Sequence, residues 1–566
     1  MEKEKICSYR FLYQIKLLIT LIILIQVTNH DSELINEKQT GGLLNRFNIK
    51  NYFLLFLFCA SFTFSQQSFD KAESISLIKY NVETLASDQF EGRETGTRGE
   101  LLSSEFIAGR LKEYGVKPFG DDGSFFQNFE LNVRRIDRAA GITVLNNSGD
   151  KNFYESGKDI YISLRKFPSE KYAGINLDLV FCGYGITSEE SNYNDYEGID
   201  IKGKVVLLLP GIPINSDKEV LNENEAKYFK SIYNKYHLAV EKGAAGVLCA
   251  ADGWMKKNWD YMLFSAYDKD VYLRNFNSNE TNNIPLVLIT ENIAEQLLDG
   301  ENKSYNEILF DVNENEPAAF RLKKKISFNY STYSDVDTVR NVIGIIEGSD
   351  ENLKDEYIAL SAHYDHEGMR DSLIFYGADD NASGTSAVLE VGRRLAQLNS
   401  NSRSVLTIFH TGEEKGLLGS KYFTANSDIM NEINANINLD MVGRESIDTI
   451  YSVGSGKLSS QLFELVEEVN HETVDFVFNY KFDDPDDPEK IYYRSDHYNY
   501  AKQGIPIVFF YDYMTTDYHK PTDTADKINF AKIEKISTLV TELALRISNL
   551  EERLIVDIKE DEKVLE

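Results

Sequence analysis

Between Asp335 and Leu550 the chain alternates between two patterns, and that alternation limits the fold more than any other feature. Five short apolar runs stand out: Val342–Ile346, Tyr357–Ala362, Val405–Phe409, Ala435–Leu439 and Ile505–Phe510. Their length and unbroken apolarity are those of strands buried on both faces. Helical stretches lie between and after them, over Ser386–Leu398, Gly416–Ala425, Leu458–Asn470 and Ile533–Leu550. Strands alternating with helices predict an α/β fold, a central sheet with helices on both faces. Ligands in such folds bind beyond the carboxyl ends of the strands, so ionisable side chains are expected directly after each run. Four of the five runs comply. His363 follows the second, Thr411-Gly412-Glu413-Glu414 the third, Asp440 the fourth, and Asp517-Tyr518-His519 lies in the loop after the fifth. The stretch Ser361–Gly384 adds Asp365, Asp379 and Asp380. One such residue alone is an ordinary cap or a solvated loop side chain. Imidazoles and carboxylates at successive strand ends together read as a metal site.

The upstream half supplies no second constellation. Phe69–Tyr114 reads as helical around the turn Glu91-Gly92-Arg93-Glu94-Thr95-Gly96, and Phe125–Leu131 as a strand. Short apolar runs then recur at Leu177–Phe181, Val205–Leu209, Gly246–Leu248 and Ile284–Ile289, with one helix over Ala226–Lys242. No His, Cys or acidic cluster with ligand spacing occurs among them. A chain of 566 residues is expected to form two or three domains. Its formal charge of −30 argues against nucleic acid as a partner, since phosphate binding needs a basic face. The four cysteines have no Cys-x-x-Cys spacing, which excludes a zinc-finger site; Cys182 and Cys249 are expected as buried free thiols.

Two apolar segments begin the chain, Leu17–Val27 and Tyr52–Phe64. The second has the layout of a secretory signal: a basic start, an apolar core and small residues, with cleavage expected after Ser65. The protein is therefore expected to be exported, with no stable membrane span in the mature chain. The first segment reads as an upstream extension from a misassigned start, with a short membrane anchor as the alternative.

The motifs add a resemblance. His363-Tyr364-Asp365-His366, Gly377-Ala378-Asp379-Asp380-Asn381-Ala382-Ser383-Gly384, Gly412-Glu413-Glu414, Asn438-Leu439-Asp440-Met441, Arg494-Ser495-Asp496-His497 and Asp517-Tyr518-His519 are similar to those of co-catalytic di-zinc exopeptidases. That group includes bacterial leucyl aminopeptidases, glutamate carboxypeptidases and transferrin receptor relatives. Val180–Gly185, Asp200–Leu209 and Lys242–Val247 resemble a protease-associated domain, an inserted module that borders an active site or mediates contacts. The resemblance implies a mixed central sheet flanked by helices on both faces, with a β-rich insertion. The expected division is 1–65 for the N-terminal apolar segments, 66–133 for the start of the peptidase domain, and 134–332 for the insertion. Residues 333–553 are then the catalytic domain, and 554–566 an acidic tail.

The resemblance also implies two Zn2+ ions. Asp380 would bridge them, with His363 and Asp440 on one and Glu414 and His519 on the other. Glu413 would be the general base for a metal-bridging hydroxide. Asp365 would orient the His363 imidazole, its alternative role being a turn residue. Tyr492, with Tyr493 as its rival, would contact the developing oxyanion. Asp496 and His497 would support the site, and the peptide bond after Asp380 would be cis. His237, His366, His410 and His471 match no role and read as structural or surface residues. Asp483–Pro488 reads as a solvated acidic loop, with a substrate ammonium or calcium site as the alternative. The implied activity is a secreted aminopeptidase acting on peptides. A carboxypeptidase with Arg494 in a cationic pocket, a glutaminyl cyclase and a receptor-like protein without metals are the alternatives; intact ligands and Glu413 argue against the last. Tyr511–Thr516 replaces a glycine- and histidine-containing turn of the relatives, so their side-chain preference does not carry over.

Overall fold

The computed structural model describes residues 69–558, apart from 165–173, 216–217, 275–282, 303–304, 314–318 and 445. The expected signal segment and the extension before it lie outside the described residues, among which no helix is long and apolar enough to cross a membrane.

Nine strands form the body of the main sheet. In chain order they are β1 (Phe126–Ile136), β2 (Asp270–Leu273), β3 (Thr332–Ile346), β4 (Tyr357–His363) and β5 (Ser404–His410). The series continues with β6 (Ile433–Asp440), β7 (Thr449–Val453), β8 (Val477–Asn479) and β9 (Ile507–Tyr511). Their spatial order is β2-β1-β3-β5-β4-β6-β9-β7-β8, and Lys117–Pro118 pairs with β3 as a short tenth strand. The central four, β5-β4-β6-β9, are parallel. β3 and β7 run antiparallel to their inner neighbours, so the sheet is mixed, as expected. All five apolar runs are strands of this sheet.

Side-chain alternation explains why those runs are apolar throughout. Successive residues of a strand point to opposite faces. Ile358, Leu360 and Ala362 of β4 enter one core cluster, while Tyr357 and Ala359 enter another. Helices α1 (Lys71–Leu85), α2 (Arg98–Glu113), α3 (Gly384–Leu398), α5 (Ser460–Thr473) and α6 (Phe530–Ser548) cover the first face. The second is covered by α4 (Leu418–Asn426) and the short helix His497–Ala501. Side chains set several helix starts: the Asp70 carboxylate accepts from the Ala72 N–H at 2.8 Å, and Ser459 from the Leu462 N–H at 3.1 Å.

A second, eight-stranded sheet is built from residues 141–329. Its order is Lys151–Glu155, Gly141–Leu145, Phe320–Asn329, Leu177–Phe181, Val205–Leu208, Gly246–Ala250, Leu286–Ile289 and Tyr161–Ile162. Leu177–Phe181, Val205–Leu208, Gly246–Ala250 and Leu286–Ile289 are parallel, with a buried cluster on each side. Cys182 and Cys249 are buried and free, as expected.

The structure differs from expectation in three places. The helix over Ala226–Lys242 is two helices, Glu223–Phe229 and Ile232–Glu241, because Ser231 takes the extended backbone of an N-cap. Residues 134–332 do not keep to themselves: Asp270–Leu273 crosses back as β2 and pairs with β1, Val271 opposite Val133. The described start of the expected acidic tail is docked on α5. Leu554 is buried in the main core, and the Asp557 carboxylate accepts from the Ser460 N–H at 2.9 Å.

Candidate metal centre

The four parallel strands end on His363, His410, Asp440 and Tyr511, and these ends form the floor of the site. After β4 a loop leads to Gly377, then to the turn Ala378–Ser383 that opens α3. Gly377 has φ +55°, and a Cβ there would lie 2.1 Å from the Asp380 carbonyl oxygen and 2.5 Å from the His366 ring. The Asp380–Asn381 peptide bond is cis, as the resemblance implies. Two clamps fix this turn. Asp523 accepts the backbone N–H groups of Asp379 and Asp380 at 2.9 and 3.1 Å. Arg93, fully buried, donates to the carbonyls of Tyr364, Leu85, Tyr376 and Gly377 at 2.7–2.9 Å.

Asp380 stands between two imidazoles. His363 Nε2 lies 3.1 Å from Asp440 Oδ1 and 3.4 Å from Asp380 Oδ1. His519 Nε2 lies 3.2 Å from Asp380 Oδ2 and 3.1 Å from Glu414 Oε2. All five expected ligands are thus brought together, with one Asp380 oxygen facing each side. Glu413 Oε2 is 4.0 Å from His363 Nε2 and on the same cavity wall.

The residues fit metal ions. Asp365, Asp380, Glu413, Glu414 and Asp440 crowd a buried space where like charges repel. His519 Nε2 is buried and makes no hydrogen bond of acceptable geometry, although two carboxylate oxygens stand within 3.2 Å. A nitrogen and carboxylates converging without bonding to each other is what a shared cation needs, and the mixed donor set suits zinc. The electrostatics agree. Burial opposes charge on His363, but Asp440 and Glu413 outweigh it and raise its pKa well above the ordinary value. Burial likewise opposes charge on His519, and Glu414 and Asp380 outweigh it. Burial drives the Glu413 carboxyl well up, against the pull of His363.

Residues 341–544 match the model of peptidase family M28. That region is similar to peptidase family M28. Among curated relatives, a probable leucine aminopeptidase of Arthroderma otae is 29% identical over 219 residues, 37% of this chain and 57% of that protein. Aminopeptidase YwaD of Bacillus subtilis is 30% identical over 224 residues, 36% of this chain and 44% of its own length. The chain thus spans about half the length of the curated relatives it matches. Among solved structures, an aminopeptidase from Aneurinibacillus sp. strain AM-1 superposes with a TM-score of 0.55 at 19% identity, over 86% of this chain and 96% of that one. A zinc aminopeptidase from Bacillus subtilis gives 0.50 at 20%, over 87% and 100%. These two show a shared fold.

Within the M28 region two expected roles move. The Asp365 carboxylate is 3.8 Å from His363 Nδ1, whose nearest acceptor is the Asp365 backbone carbonyl at 3.2 Å. That carboxylate instead accepts from the Glu413 N–H at 3.1 Å and the Thr95 hydroxyl at 2.9 Å, so it anchors Glu413. Tyr492 is absent from the cavity wall. The tight turn Ile491–Tyr493 gives the cavity Ile491 and sends the Tyr492 ring into an apolar cluster beside Tyr493, His497 and Tyr498. The tyrosines on the wall are Tyr511 and Tyr518, and Tyr518 stacks on His519 at 3.8 Å.

Four residues at the site escaped the sequence reading. His366, taken as structural or surface, is fully buried with Nδ1 2.8 Å from Glu414 Oε1; its place three residues after His363 was the available signal. Glu367 Oε1 lies 3.4 Å from His519 Nδ1, and its other oxygen pairs with Arg370. Arg370 in turn grips Asp268 at 2.7 and 3.1 Å, a line from residues 134–332 to the expected ligand His519. Ser495 donates to Asp440 Oδ2 at 2.8 Å. His497, expected to support the site, holds the Tyr492 carbonyl at 2.8 Å, and buried Asp496 has its carboxyl raised to about 7 by burial. His410 is structural as read, 3.1 Å from the Tyr500 hydroxyl. In the acidic loop, Asp483 and Asp487 accept the N–H groups of Gly454 and Ile491 at 2.7 and 3.0 Å, while Asp484 and Asp486 are exposed.

Proposed function

We propose that this protein is an exported zinc aminopeptidase that removes N-terminal residues from peptides, using two zinc ions. The observation that carries it is Glu413, a buried carboxylate on the cavity wall beside two ligand groups that share Asp380. One ion is assigned to His363, Asp440 and Asp380, the other to Glu414, His519 and Asp380. Bound there, zinc polarises the scissile carbonyl and acidifies the attacking water. Glu413 takes the proton of that water and passes it to the leaving amine, and a carboxyl raised by burial is suited to receiving it. Asp365 keeps Glu413 on station through its backbone N–H. Tyr518, on the wall next to His519, is the donor for the developing oxyanion in place of Tyr492. Residues 134–332 are read as a protease-associated insertion, and export rests on the signal-like segment ending at Ser65.

The test is a substrate panel. Free-amine peptides, N-acetylated peptides and carboxyl-blocked peptides are offered with and without a chelator. Cleavage only of free-amine peptides, lost with chelator and with Glu413→Gln, is expected. Cleavage that survives N-acetylation, or activity indifferent to chelator, would refute the reading.

A further inference from the structure

The cavity beside the metal centre holds one positive charge that no described carboxylate pairs with. Arg494 lines it together with Glu413, Asp440 and Tyr518. Its Nη2 is 3.3 Å from the Tyr518 hydroxyl and its Nη1 is 3.8 Å from the Met514 sulfur; both are neutral partners. The other arginines around the site are occupied. Arg93 is spent on four backbone carbonyls, Arg370 on Asp268 and Glu367, and Arg444 on Asp517 and Asp523. Arg494 is also exposed rather than packed away. A guanidinium is a planar fork of donors matched to a carboxylate, and leaving that fork toward a cavity makes it a reader of anions.

Its position says which anion. Tyr518 bridges Arg494 and His519, touching the first by hydrogen bond and the second by a stacked ring at 3.8 Å. The guanidinium is therefore one side chain away from the ligand cluster. Four carboxylates of the metal cluster, Asp380, Glu413, Glu414 and Asp440, form one part of the wall; the rest mixes Met441, Ile491, Phe509 and Met514 with Ser495 and Tyr511, and the cavity measures only about 40 Å³. A small space whose carboxylates belong to the metal cluster, and whose one guanidinium has only neutral partners, suits a short group carrying a carboxylate.

We propose that Arg494 binds a substrate carboxylate lying within one residue of the scissile bond. Two sources carry that chemistry, the terminal carboxylate of a dipeptide and the side chain of an acidic N-terminal residue. The assignment rests on the aminopeptidase reading above, and the experiment separates the two. In the zinc-loaded protein, kcat/KM is measured for leucyl-glycine, leucyl-glycinamide and glutamyl-glycinamide, in wild type, Arg494→Lys and Arg494→Gln. Wild type should favour one carboxylate-bearing substrate over leucyl-glycinamide. Arg494→Gln should shrink that preference about 10- to 100-fold, the scale of a charge-assisted hydrogen bond, and Arg494→Lys should keep part of it. A preference confined to leucyl-glycine assigns the terminal carboxylate; one confined to glutamyl-glycinamide assigns the acidic side chain. An unchanged ratio, or an equal fall on all three substrates, overturns the proposal; the equal fall would make Arg494 a support for Tyr518. A binding arm works without turnover. Leucyl-glycine and leucyl-glycinamide are titrated calorimetrically into Glu413→Gln protein, then into Glu413→Gln carrying Arg494→Gln. A difference in affinity that vanishes in the double variant upholds the carboxylate contact even if wild type cleaves nothing. Equal affinities for both peptides and for their glutamyl counterpart sink the contact even if cleavage proceeds.

Discussion

Replacing Arg93 with methionine keeps most of the buried stem and removes every donor. Four carbonyls, those of Leu85, Tyr364, Tyr376 and Gly377, then lose partners held at 2.7–2.9 Å. An acceptor orphaned in the interior costs roughly 1 kcal/mol or more, so the gross loss is about 4 kcal/mol. Part of that is offset. Burial lowers the Arg93 pKa to about 10, despite Asp380 and Asp523 nearby, so removing the charge also relieves a desolvation cost. A net destabilisation of about 2–4 kcal/mol is expected, large for one substitution. The Gly377 carbonyl frames the turn that presents Asp380, so zinc affinity should fall as well, by about tenfold or more. Urea unfolding of metal-free protein measures the first effect, and competition with a chromophoric zinc chelator the second. Arg93→Lys should recover only a minority of the stability, because an ammonium has three donors on one atom and cannot span four carbonyls. A destabilisation under about 1 kcal/mol for Arg93→Met, or intact zinc affinity in a destabilised variant, would refute the clamp.

Glu413→Gln should abolish turnover while leaving zinc content unchanged, because the carboxylate is assigned to proton transfer and not to the metals; loss of zinc in that variant would contradict the assignment. Burial pushes His410 and His497 down to about 3 each, so both are neutral in the fold. They take up protons only on unfolding below pH 6.5; stability is intact above that value and falls as pH drops toward 3, by about 5 kcal/mol for each group at the low end. A stability profile that stays flat between pH 6.5 and 4 would contradict this, and His410→Asn should make the slope shallower. Arg370→Met cuts the line from Asp268 through Glu367 to His519 and should weaken zinc binding about 10- to 100-fold; chelator competition that reads the same as wild type would dismiss that line. Lys532→Met removes the cation that pairs with the buried Asp512 carboxylate, and should destabilise by about 3–5 kcal/mol in urea unfolding.

The sheet was legible from local pattern, and the five candidate ligand positions from the motifs that carry the resemblance. A strand buried on two faces must be apolar along its whole length; His363 and Asp440 end such strands and Glu414 closely follows one, whereas Asp380 sits in the turn before α3 and His519 in the loop beyond β9. What sequence could not show depends on direction. Tyr492 and Tyr518 are both tyrosines near expected motifs, and only the tight turn Ile491–Tyr493 decides that the first faces the core. Asp365 lies two residues past His363, yet which of its acceptors meets the imidazole is a matter of tenths of an ångström. Arg93 reads as a loop residue in a glycine-rich turn, and its carbonyl partners are spread from residue 85 to residue 377. His366 was passed over because a histidine beside candidate ligands has no periodicity of its own.

β2 carries a consequence for how such a chain can be rearranged. The polypeptide leaves the first sheet after β1, builds most of the second, returns for the four residues Asp270–Leu273, leaves again, and re-enters as β3. Residues 134–332 are therefore joined to the main sheet in the middle as well as at their ends. Removing residues 134–332 as a cassette would strip β1 of a partner, leave an open strand edge prone to pairing with other chains, and take Asp268 away from Arg370. A transplant of this module between proteins must carry its landing strip, residues 268–273, and needs an acceptor whose loop already offers the matching arginine. Shuffling at this junction is constrained by one short strand more than by the large sheet beside it.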